Sequence, residues 1–275
     1  MTDKPAGGAL FASYNIHKCV GTDRRFDPGR VAAVIGEIGA DVIALQEADR
    51  RFGDKAGLLD LEALQRTTGL VPVPVMNGHG GHGWHGNLVL VREGLVRDLR
   101  QITLPGLEPR GALVADLDLV IGPVRVVAAH LGLLRHSRLL QVEALASHAG
   151  EPDGRPVVLM GDLNEWRRHG RSALARFGPT FGPIAHGVPS FPSYFPVLPL
   201  DRIIARPAWI VGPLAAHDSP QARLASDHLP VKAPVRLDAT AVPEVVPERR
   251  RRPIARVFQS RRRGSALTEA EMPSP

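Results

Sequence analysis

Residues 156–166, PVVLMGDLNEW, stay apolar for five positions and then turn polar at Asp162 and Asn164. An unbroken aliphatic run this short predicts a strand buried on both faces. A polar pair directly after it predicts side chains carried by a rigid strand end toward a cleft. The same pattern recurs on both sides. Strands are predicted over residues 10–16, 41–46, 87–92, 112–120, 124–130, 156–161, 200–205 and 231–237. Asn15 ends the first in SYNIH, Glu47 follows the second in DVIALQE, and His130 ends the fifth in VRVVAAH. Asp201 opens the seventh in PLDRII, while Asp227 and His228 stand just before the last in ASDHLPV. The stretch 112–120 alternates apolar and acidic residues, which predicts one wet face.

Between these runs lie helical patterns. Asp27 as N-cap and Pro28 at the first helical position precede Val31, Ile35 and Ile38 on one face, and Gly39 stops the helix. A second helix is predicted over 135–149, with Leu139, Val142, Leu145 and Ala149 as its stripe. Strands alternating with helices predict an α/β domain.

The chain has 275 residues, 44% of them hydrophobic and 23% charged, enough for a sizeable core in one catalytic domain over residues 1–237. Residues 238–275 are rich in proline and arginine and lack periodicity, which predicts a disordered tail. They hold eight arginines and five acids, so half of the net charge of +6 resides there. Its arginine clusters at 249–252 and 261–263 suit an anionic surface, either nucleic acid or lipid headgroups. No apolar run approaches the roughly 20 residues of a membrane helix, and no signal peptide is evident, so a cytoplasmic protein is expected. The lone Cys19 has no disulfide partner and reads as a small buried residue.

Singly, each strand-end residue also suits a turn or a cap. Together they suit phosphate-ester hydrolysis. A hard divalent cation such as magnesium, or manganese, takes oxygen ligands, and the carboxylates of Glu47 and Asp227 would serve. Asp162 and Asn164, two apart on an extended segment, can hold a water between them. A histidine oriented by a carboxylate, as His228 by Asp201, suits contact with the scissile phosphate.

In order along the chain, YNIH, ALQE, GN before a strand, PRGAL, HLGL, GDLN, LDRI and SDHLPV resemble the motifs of the endonuclease/exonuclease/phosphatase superfamily of metal-dependent hydrolases. The resemblance covers residues 9–237. It implies a four-layer α/β sandwich, two packed mixed β-sheets flanked by helices, with the cleft along the sheet edges. It also implies that Glu47 is the principal metal ligand with Asn15 and Asp227 close by, and that Asp162 orients or deprotonates the attacking water. Asn164 would position that water and the phosphate, Asp201 would support His228, and His130 would stand beside the phosphate. Arg110 in PRGAL resembles an arginine that reaches into the cleft; a bidentate phosphate contact and a plain salt bridge both suit it.

The loop NGHGGHGWHGN places His79, His82 and His85 among glycines, with Trp84 between them. A substrate-facing rim, an uninvolved loop and a transition-metal site are the readings open to it. For the substrate, the basic balance and the PSYFPVLPLDRI segment favour a nuclease-like phosphodiesterase acting on nucleic acid. A phospholipid-headgroup phosphodiesterase or phosphatase at the cytoplasmic membrane face is the alternative, with the arginine tail as tether.

Overall fold

The computed structural model describes residues 4, 6–50, 56–76, 81–149, 154–167, 172–184 and 186–237. The proposed tail 238–275 and His79 lie outside them. Among the described residues, eleven strands form two sheets. The first contains β1 (Ala9–Asn15), β2 (Val42–Gln46), β3 (Val71–Pro72), β4 (Leu88–Val91), β10 (Ala215–Ala216) and β11 (Val231–Val235), in the order β10-β11-β1-β2-β4-β3. The second contains β5 (Leu95–Leu104), β6 (Arg110–Leu119), β7 (Gly122–His130), β8 (Val157–Asp162) and β9 (Asp201–Arg206), in that order. Both sheets are mixed: β1 runs parallel to β2 and β7 parallel to β8, and the other neighbours are antiparallel.

Alternation along the strands builds the layers. Phe11, Val42, Ala44 and Val89 of the first sheet pack against Val126, Ala128, Val158 and Met160 of the second. Their neighbours in sequence point outward. Ala12, Tyr14, Ile43 and Leu45 bury the apolar stripes of α1 (Pro28–Ile38) and α2 (Leu61–Thr68), together with α5 (Pro220–Ala225). Val114, Val127, Ala129 and Leu159 pack under α3 (Arg135–Ala149) and α4 (Gly178–Phe181). This is the four-layer sandwich. Phe11 is fully buried between the sheets, so Phe11→Ala would cost about 3–5 kcal/mol.

The capping expectations for α1 hold: Asp27 accepts from Arg30 N at 2.9 Å, and Gly39 ends the helix at φ 65. Two expectations need correction. The strand β5 was missing from the predicted set, because LVRDLRQITL is largely exposed at the sheet edge and lacks the aliphatic run of the inner strands. The wet face expected on residues 112–120 is dry at Asp116. Its carboxylate is buried against Arg125 in a bidentate pair of 2.6 and 2.7 Å, and the pairing replaces the lost hydration.

Candidate active site

The inward positions of both sheets turn polar at one common end. On β7 they run Val124, Val126, Ala128 and then His130; on β8, Val158, Met160 and then Asp162; on β9, Ala205, Ile203 and then Asp201. His130, Asp162 and Asp201 are register partners across these three strands. On the facing sheet, β1 reaches Asn15 in the same way. The site is therefore where the core between the sheets runs out.

Asp162 is the hub. Its Oδ2 accepts from Asn15 Nδ2 at 3.0 Å, a bond across the two sheets, and its Oδ1 accepts from Asn164 N at 2.9 Å. His130 Nε2 lies 3.4 Å and His228 Nε2 3.7 Å from the same Oδ2. Asp201 Oδ2 pairs with His228 Nδ1 at 2.8 Å and accepts from Ser190 Oγ at 2.6 Å. Phe191 packs on the His228 ring with centroids 4.9 Å apart.

The two histidines are held in opposite states. Burial pushes His130 down to about 4, and the Arg110 guanidinium adds to that against the pull of Asp162 and Glu47. It is neutral at pH 7, with Nε2 facing Asp162 and Arg110 Nη1 standing 3.0 Å from Nδ1 and 3.1 Å from Nε2. Burial alone would also lower His228, but Asp201 and then Asp162 outweigh it and carry the imidazole up to about 10. A cation thus sits between two buried carboxylates that would otherwise repel each other. Arg110 itself is anchored by Glu108 Oε2 at 2.9 Å, so the salt-bridge reading of this residue is realised together with a place beside His130.

Glu47 and Asn164 both leave their strands with positive φ, 58 and 51, as do His17, Lys18 and Cys19 in succession and His85. Such conformations cost on the order of 1–3 kcal/mol each in non-glycine residues and gather where function holds them. Gly86, itself at φ 80, backs the Glu47 turn: a Cβ there would stand 3.3 Å from Glu47 Cα. The histidine loop is thus tied down over its described part. His82 N donates to Asp49 Oδ1 at 2.7 Å, its Nε2 meets Leu59 O at 2.7 Å, and Trp84 Nε1 donates to Ile102 O at 3.0 Å. These contacts favour a structural role for His82 and Trp84 over a substrate-facing rim.

Glu47 offers a carboxylate, the kind of oxygen donor a hard cation takes. Burial would raise the Glu47 carboxyl, but His130 and the Lys18 ammonium bring it below its ordinary value, so it is ionised. Lys18 Nζ donates to Glu47 Oε2, and a positive charge therefore already has a seat there. Asp227 is about a third exposed, with His17 Nδ1 3.7 Å from its Oδ1. Among the described residues, the one group of three potential ligands with atoms within 4.8 Å of one another is a different one: Asp162, Asp201 and His228. Its proximity is accounted for by the contacts of His228 with Asp201 and Asp162 just given.

Sequence reasoning missed Lys18, Ser190, Ser226 and Glu108. Ser226 Oγ donates to Asn15 O at 2.7 Å and accepts from His228 N at 3.2 Å, joining the ends of the first sheet. Lys18 directly follows the SYNIH motif and Ser226 precedes Asp227, but neither residue type announces itself.

The family model described as Endonuclease/Exonuclease/phosphatase family matches residues 12–228. The protein YbhP of Escherichia coli strain K12 is 31% identical over 240 residues, which cover 81% of this chain and 94% of that protein. Among solved structures, the mannosyl-6-phosphatase Bt3783 of Bacteroides thetaiotaomicron superposes with a TM-score of 0.62 at 16% identity, covering 82% of this chain and 98% of the other. The D. rerio protein TDP2, complexed with a single-strand DNA product, gives 0.59 at 17% identity, covering 84% and 99%. These two likenesses are of fold. The match from residue 12 to residue 228 spans every strand end described above, and with it the chain belongs to the endonuclease/exonuclease/phosphatase family of divalent-metal-dependent phosphoesterases.

Proposed function

We propose that the chain is a magnesium-dependent phosphodiesterase in which water attacks a bound phosphate in line with the leaving oxygen. The observation that carries this reading is the register row His130, Asp162, Asp201, with neutral His130 and charged His228 on either side of one carboxylate.

Asp162 orients the attacking water and takes its proton. Asn164 donates Nδ2 to Leu131 O at 2.9 Å, which fixes the plane of the amide and leaves its carbonyl oxygen to hold that water. His228, held by Asp201, directs its Nε2–H and its charge at a non-bridging phosphate oxygen, and Arg110 adds a second positive charge beside His130. Glu47, with Asn15 and Asp227, would hold the metal, which when bound polarises the phosphoryl oxygen and stabilises the leaving oxygen. Manganese suits the same donors.

The catalytic unit of this reading is residues 1–237, in the cytoplasm, with 238–275 as a basic tail. Nucleic acid as substrate is supported by the net positive charge and by the fold likeness to TDP2. A phospholipid headgroup is a second reading, favoured by exposed apolar side chains on the loops around the site. The test is turnover of bis-p-nitrophenyl phosphate against the monoester, with magnesium, manganese or chelator, in the natural chain and in Asp162→Asn. Metal-dependent diester cleavage that drops by about 10³-fold or more in the variant is expected. Cleavage that survives chelator or Asp162→Asn would sink the mechanism.

A further inference from the structure

Over their described residues, four loops beside the site expose apolar side chains. Leu107 lies ahead of β6, Leu133 and Leu134 follow β7, Trp166 follows β8, and Tyr194 and Phe195 lie on the turn before β9; all six are between 44% and 83% exposed. Scattered exposed apolar residues are ordinary, but six around a polar cleft mark an interaction surface.

These loops are tied to one another and to the site. Leu107 N donates to Ser137 Oγ at 3.4 Å and Leu133 N to Glu108 Oε1 at 2.7 Å. Arg138 Cζ, on the same helix as Ser137, stands 6.0 Å from the Trp166 ring centroid. Ser193 N donates to Asp227 O at 2.7 Å, and Phe191 at the base of the turn packs on His228. Leu133, Leu134 and Trp166 thus follow the strand ends that carry His130 and Asp162, whereas Tyr194 and Phe195 lie on the turn tied to Asp227 and His228.

The flanking chemistry narrows the substrate. A polynucleotide would lay further phosphates along these loops and call for a row of cations under them. Of the six exposed side chains three are leucines, which cannot stack on a base, and the aromatic three, Trp166, Tyr194 and Phe195, suit the headgroup level of a bilayer as well. The charge beside them is basic: Arg135 and His136 are exposed next to the leucines, whereas the nearby acid, Glu108, is turned inward to Arg110 and Leu133 N. Apolar tips with a basic flank match an anionic lipid surface.

We propose that this rim seats the protein on an anionic phospholipid bilayer, with Leu133, Leu134, Tyr194 and Phe195 entering the headgroup layer and a lipid phosphodiester presented to His130 and His228. The proposal rests on the lipid-headgroup reading above. It is tested by co-sedimentation of the full chain with phosphatidylcholine vesicles, with and without phosphatidylglycerol. The paired variants Leu133→Ser/Leu134→Ser and Tyr194→Ser/Phe195→Ser are run alongside, and bis-p-nitrophenyl phosphate turnover reports both their folding and the diesterase reading.

The natural chain is expected to sediment with the anionic vesicles and each pair to lower binding about tenfold or more, with soluble-diester turnover within about twofold of the natural chain. Tryptophan emission should shift to the blue on the same vesicles, and Trp166→Phe should remove that shift. A natural chain that stays in the supernatant, or paired variants that sediment as it does because tail arginines carry the adsorption, would overturn the proposal. So would pairs that break a dimer in sedimentation velocity without changing vesicle binding, since the rim would then be a contact between copies. Failure of soluble turnover in every form would remove the diesterase reading and leave the vesicle result to judge the rim.

Discussion

The two sheets contribute unlike halves to one site. The five-stranded sheet supplies His130, Asp162 and Asp201 as a buried row in register, each hydrogen-bonded or charge-paired to the next group. The six-stranded sheet supplies Glu47 and Asp227 from turns that are partly exposed and, at Glu47, bent into positive φ. A row locked by strand pairing suits groups that must hold a proton or a water within a fraction of an ångström. Open turns suit ligands that must let a hydrated cation enter and leave. His228 crosses between the halves, leaving the chain just before β11 of one sheet and bonding to Asp201 of the other.

The largest effect should come from breaking the rigid half. Asp201→Asn removes the charge that holds His228 as a cation, and kcat should fall about 10²–10⁴-fold with the metal requirement unchanged. An unchanged kcat would dissolve the distinction between the halves. Glu47→Gln should do the reverse: the metal concentration for half-maximal activity rises about 100-fold, and much of kcat returns at saturating metal. A loss that no metal concentration restores would place Glu47 in the chemical step.

A smaller effect of opposite sign is expected at Lys18. Its ammonium competes for the Glu47 carboxylate, so Lys18→Ala should tighten metal binding by a few-fold in a titration that needs no substrate. Weaker binding would make Lys18 a support of the site.

The last effect concerns stability in chelator rather than activity. His228, raised to about 10 in the fold from an ordinary 6.5, contributes stability that is complete below 6.5 and is lost as pH rises through about 10. His130, lowered to about 4, does the opposite: the unfolded chain gains its proton first, so stability falls as pH drops from 6.5 to about 4. Thermal melts should therefore show His130→Ala flattening the acid limb and His228→Ala the alkaline limb. An exchange of these assignments would reverse the protonation states given to the two rings.

Legibility in the sequence followed burial. The inner strands and the strand-end residues were readable because a sharp change from aliphatic to polar is rare and has few physical meanings. The edge strand β5 was not, since its residues pack on one neighbour and carry arginine and aspartate that also suit a loop. The histidine loop misled for a related reason. Three readings suited its residues, and the contacts that hold His82 and Trp84 come from Asp49, Leu59 and Ile102, which no local pattern announces.

By itself the sequence determined the α/β order, the helix caps and the set of polar residues that end the strands, because these depend on patterns local in the chain. It did not determine which of those residues would touch. The bond from Asn15 to Asp162 spans 147 positions and exists only once two sheets pack face to face, and that from Ser226 to Asn15 spans 211 and exists only once β11 pairs beside β1. The opposite charge states of His130 and His228 are likewise tertiary. Both rings are buried, which by itself lowers both; His130 stays neutral because its neighbours do not outweigh that burial, and His228 is charged because Asp201 and then Asp162 do.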